Sequence, residues 1–177
     1  MDIYTILIIT HLAGTALAIG GATMIEFHLT KALHDGKVSP DEGSMLAVDY
    51  KVVRIGFLVS VLSGFGFLII YNVTGQTFRL YDPVLWAKLV IVIVVGTNAL
   101  LLQAHKINLY WGAALSFVSW WTIGLLGVFM TNNVKFDLFS QYTFISSFMS
   151  VIIVFVVSVV IGAAILHFIR KKLNPSS

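Results

Sequence analysis

The chain has 177 residues, of which 58% are hydrophobic and only 11% charged, with a formal net charge of +3. A soluble domain carries about 25% charged residues, so this composition and a mean hydropathy of +0.94 exclude water as the main solvent. The chain contains no cysteine. That excludes disulfides, iron–sulfur clusters and thiolate metal sites, and leaves His, Met, Lys, Tyr, carboxylates or backbone oxygen to hold any metal or haem.

The first apolar run extends from Ile3 to Leu29 and is helical by its length. It opens on Met1-Asp2 without a basic n-region, so it reads as a retained span and not a signal peptide. A polar stretch follows, from Thr30 to Lys51, and includes His34, Asp35 and Lys37. Within it, Ser39-Pro40-Asp41-Glu42 has the form of a helix N-cap, which predicts a short surface helix leading into the next span. The second span is expected over Val52 to Tyr71, and the third over Val84 to Gln103, after Asp82-Pro83. A hinge at His105 to Asn108 precedes a fourth span, Leu109 to Met130. A polar loop, Thr131 to Gln141, then leads to a fifth, Tyr142 to Phe168, which ends at Arg170-Lys171-Lys172. The expected fold is thus an all-α membrane bundle of five spans in one domain, embedded in the lipid bilayer.

Basic residues orient the bundle. Lys31, Lys37, Lys51, Arg54, Lys106, Arg170, Lys171 and Lys172 fall on one side, against Arg79, Lys135 and Lys88 on the other. The positive-inside rule then places the N-terminus outside and the C-terminus in the cytoplasm. The net charge serves orientation and implies no nucleic-acid partner.

Ionisable groups in hydrocarbon cost about 2.5–3.5 kcal/mol on insertion scales, so each requires a reason. His11 and Lys88 fall in the outer half of the spans, with Trp86 and Tyr4 at the interface. Glu26, His28, His105 and His167 fall at the inner helix ends. Imidazole suits a haem iron or a transition-metal ion, so His11 is a candidate axial ligand; a histidine bonded to a neighbouring helix is the plain alternative. His28, His105, His167 and Glu26 would form a second metal site only if they converged. Gly14, Ala18 and Gly21 recur along the His11 side of span one, where another helix, a sister protomer or a flat ligand could approach the backbone. Trp120-Trp121 reads as packing or as a wall against a macrocycle. Met24, Met45, Met130 and Met149 show no spacing suited to a thioether copper path.

His11-Leu12-Ala13-Gly14, with Gly21 ten residues after the histidine, resembles the opening span of two bacterial membrane families. These are the haem-associated protoporphyrinogen IX oxidases and the copper-resistance D-like proteins. Leu85-Trp86-Ala87-Lys88-Leu89 is similar to the tryptophan-and-lysine start of the corresponding helix in the oxidases. The oxidase family, however, carries an arginine where this chain has Glu26, and its tryptophan-to-lysine spacing differs by two residues. The resemblance therefore implies a scaffold and a haem ligand at His11, with Lys88, Trp86 and Gly14 beside the cofactor, but not the oxidase reaction. The expected function is a haem-b-binding protein of the bacterial inner membrane with a redox or porphyrin-handling role. A copper or zinc permease or sensor is the first alternative, and a non-catalytic assembly subunit the second.

Overall fold

The computed structural model describes residues 2–32, 38–131 and 137–173. The predicted polar stretch around His34, Asp35 and Lys37, and Lys135 in the fourth connection, lie outside the described residues. Five helices form: α1 (Ile3–Ala32), α2 (Pro40–Val73), α3 (Pro83–Gln103), α4 (Leu109–Thr131) and α5 (Phe144–Leu173), with a short 3₁₀ helix at Thr77–Tyr81. No strand occurs among the described residues. All five helices are long and apolar enough to cross a membrane. This is an all-helical, multi-pass membrane fold.

Local chemistry explains where the helices begin and end. Ser39 Oγ accepts from the Glu42 amide at 3.3 Å while Glu42 Oε2 accepts from the Ser39 amide at 2.9 Å, a reciprocal cap that satisfies two otherwise free donors. The expected short surface helix is not separate, however. With no glycine–proline break between Leu46 and Val53, the capped turn runs on into the span as one helix of 34 residues. Asp82 caps α3, its Oδ1 accepting from the Val84 amide at 2.8 Å, with Pro83 at the first helical position. The end of α3 is closed by His105 at φ 53°. Its amide bonds to Leu102 O at 3.1 Å and that of Lys106 to Leu101 O at 2.9 Å, the paired bonds of a left-handed helix stop.

Successive helices run antiparallel. α1, α3 and α5 begin at one face of the bundle, called here the first face; α2 and α4 begin at the second. α1 and α2 pack along most of their length, at backbone separations that only small residues permit. A Cβ on Gly14 would lie 2.6 Å from Ser60 N, and one on Gly56 would lie 2.5 Å from Ala18 N. α4 is the central helix, touching α1, α3 and α5. Ala18, Ala22, Ile91, Val95, Trp120, Ile123 and Val151 make the main core around it. A second cluster, Ile25, Leu29, Leu46 and Ala113, lies toward the second face. Trp120 is 1% exposed and meets Phe57 edge-on at 6.1 Å, so it is packed core, whereas Trp121 is 46% exposed and its indole donates to Thr23 Oγ1 at 3.3 Å.

Candidate functional site

Two polar layers emerge, one in each half of the bundle. In the half near the first face, His11 sits on α1 opposite two serines of α2. Its Nδ1 lies 2.9 Å from Ser60 O and 3.0 Å from Ser63 Oγ. Ser63 Oγ donates to Val59 O at 2.6 Å, and a carbonyl can only accept, so Nδ1 carries the ring proton. A neutral ring then presents its lone pair at Nε2, which has no hydrogen-bond partner among the described residues. Phe67 closes one side of the imidazole edge-on at 5.6 Å. Thr15 Oγ1 and Ser60 Oγ, 3.0 Å apart, continue the polar seam between α1 and α2.

Lys88, on α3, is close enough to His11 for a Coulombic interaction. Its Nζ lies 3.5 Å from where a Cβ of Gly127 would stand, and it forms no ion pair among the described residues. Lys88 thus stands in the same half of the bundle as His11, against α4. Trp86 does not join them: its indole is 49% exposed and donates to Leu80 O at 2.8 Å, at the first-face surface. Gly14 is also corrected. It faces Ser60 and Val59 of α2 and leaves no room for a flat ligand, because the glycine is used for helix–helix approach.

The layer near the second face is built differently from expectation. Glu26 is buried, and its Oε1 accepts from Arg170 Nη2 on α5. Arg170 also donates through Nη1 to Tyr110 O at 3.0 Å and lies 4.0 Å over the Tyr110 ring. Tyr110 OH pairs in turn with His167 Nδ1 at 2.8 Å, and His167 stacks on Trp111 at 6.2 Å. His28 Nδ1 meets Asp49 Oδ2 of α2 at 2.5 Å. His105 forms the exposed turn after α3. No three His, Asp or Glu side chains gather into a metal-ligand group among the described residues. His28, His105, His167 and Glu26 are therefore parted among different partners, and each pairing except the turn joins two helices.

Among the described residues, three buried atoms in this layer have no hydrogen-bond partner: Glu26 Oε2, Arg170 Nε and Tyr50 OH. Midway along the bundle, Asn98 Nδ2 reaches Gly112 O at 2.8 Å and Ser116 Oγ at 3.1 Å, tying α3 to α4. Sequence reasoning missed Arg170, Tyr110 and Asp49. One signal for Arg170 was present, since a buried carboxylate requires a cation, and Arg170 is the member of its basic run that adjoins the apolar span.

The chain matches no known family, no curated protein and no solved structure.

Proposed function

We propose that this is a haem-b-binding membrane protein with a redox or porphyrin-handling role, its haem held in the half of the bundle near the first face. The observation that carries the reading is the bond from His11 Nδ1 to Ser60 O. Ligating histidines characteristically donate their second nitrogen to a carbonyl, which fixes the ring and enriches the ligating nitrogen in electron density. The donor set fits the group: an oriented imidazole, an unpaired lysine ammonium nearby and no competing thiol. His11 would supply an axial ligand through Nε2, and Lys88 would meet a propionate. A bound haem supplies one-electron chemistry; the protein supplies ligation, burial and local charge. The resemblance of the first and third spans to haem-associated membrane oxidases points the same way, although Glu26 and its partner Arg170 leave no free cation where the oxidases carry an arginine.

The test is an absorption spectrum of the detergent-purified protein, oxidised and then reduced with dithionite. A Soret band with sharp reduced α and β bands, lost in His11→Ala and kept in His105→Ala, is the expected result. A flat spectrum after haem-replete expression would remove the reading.

One observation favours a second reading, a non-catalytic assembly subunit. Glu26, His28, Asn98 and His167 all bond to a neighbouring helix, as polar residues that only pair helices would. That reading predicts a folded protein without a chromophore. The copper or zinc permease has no comparable support, since the ligands it requires do not gather.

A further inference from the structure

An open groove of about 630 Å³ runs along the outer wall of the α1–α2 pair, lined by Ala13, Ala16, Leu17, Gly20 and Met24 of α1 and by Asp49 and Val52 of α2. It lies on the side of α1 away from His11: Ala13 and Gly20 are two and nine positions further on, about 160–180° around the helix. The groove is thus independent of the haem reading. It faces the bilayer, because Leu17 and Met24 are 46% and 50% exposed.

We infer that this groove is a binding site for one anionic phospholipid of the leaflet in which α1 ends. Three observations select that occupant. From Ala13 to Met24 the groove covers roughly 16 Å at about 1.5 Å per residue, which matches one leaflet of a hydrocarbon core about 30 Å thick. It deepens where side chains are missing, and a Cβ on Gly20 would meet nothing within 4 Å, so the wall admits an acyl chain. At its end, Lys31 stands seven residues beyond Met24, about 20° from the same helix face. Lys31 is exposed and has no ion-pair partner among the described residues. Asp49, the acid in the lining, turns its Oδ2 to His28 Nδ1 and has a side chain only 14% exposed. An apolar slot one leaflet long that ends in a free ammonium complements an acyl chain carrying a phosphate headgroup.

Native mass spectrometry of the full chain, released from detergent with added phosphatidylglycerol or phosphatidylcholine, tests this. The expected result is preferential retention of phosphatidylglycerol. Lys31→Gln should lower that retention by about fivefold, the effect of one lysine at a charged surface. Lys51→Gln, an exposed lysine outside the groove, should leave it unchanged. Gly20→Leu, whose Cβ would meet nothing within 4 Å, places a bulky side chain in the slot and should remove retention of both lipids. Equal retention of the two lipids, or no change in Lys31→Gln or Gly20→Leu, would overturn the assignment. So would a dimer in the same spectra that Gly20→Leu dissociates, because the groove would then belong to a second copy.

Discussion

Arg170 on α5 donates to Glu26 on α1 across 144 positions of sequence, and both side chains are more than nine-tenths buried. Removing either partner leaves an uncompensated charge inside the bundle. Glu26→Ala and Arg170→Ala should each cost on the order of 3–5 kcal/mol, read as an earlier midpoint when the purified protein is titrated with SDS. Glu26→Leu combined with Arg170→Leu should recover most of that loss. Single variants that unfold at the parent midpoint would show that the pair carries no stability.

The α1–α2 contact gives a sharper contrast. Gly14→Ala and Gly56→Ala each place a methyl group against backbone atoms of the facing helix, which cannot turn aside as a side chain can. A loss of about 1–3 kcal/mol is expected for each, by the same titration. Gly20→Ala, in open space, should be neutral within about 0.5 kcal/mol.

His105 occupies a left-handed position that glycine fills at no steric cost. His105→Gly should therefore hold or raise stability, by up to about 1 kcal/mol. It should also leave any haem spectrum unchanged. A lost Soret band in this variant would make His105 a ligand and contradict its role as a turn.

Asp137, outside the spans, organises the start of α5. Desolvation pulls its carboxyl upward, but hydrogen bonds from Ser146 Oγ, the amides of Phe139 and Tyr142, and Ser150 outweigh this and hold it below 3.8. A carboxyl depressed in the folded state contributes fully above its unfolded pKa, and the contribution disappears as pH falls through the lower, folded value. The α5 cap should thus be intact at neutral pH and loosen only below about pH 3.8. Asp137→Asn should mimic the acid state, with faster hydrogen exchange at the Phe139 and Tyr142 amides at neutral pH.

The charge distribution predicts which face is cytoplasmic. A cysteine at Ser44, in the exposed capped turn of α2, should react with an impermeant maleimide only in inside-out vesicles. One at Gln76, beyond α2, should react only from the outside. The reverse pattern would invert the bundle.

The helices were legible because apolar run length decides them: the predicted starts of α1 and α4 coincide with the observed ones. Ser39 was readable as a cap, since its partner Glu42 stands three residues on. What local sequence could not convey was continuity and pairing. Nothing near Leu46 signals whether the capped turn stops or runs on. The 3₁₀ turn at Thr77–Tyr81 has no periodic signature. Gly14 was identified as a point of close approach, but a glycine does not specify whether a helix or a ligand fills the space. The basic run at Arg170 resembled a stop signal, because sequence spacing along α5 says nothing of a carboxylate on α1. His11 was picked out by its depth, its glycine-rich flank and the His11-Leu12-Ala13-Gly14 resemblance, while the serines that orient it stand some fifty residues away.

The two kinds of contact that hold α1 differ in when they can form. Its join to α2 is made between neighbours in sequence and is complete once two spans have entered the bilayer. The partner of Glu26 is synthesised last of the five helices, and until α5 arrives the first helix carries a buried acid with no counter-charge. A nascent or truncated chain is therefore marked by an electrostatic defect at its second face, and the last turn of the last helix both removes that defect and closes the bundle.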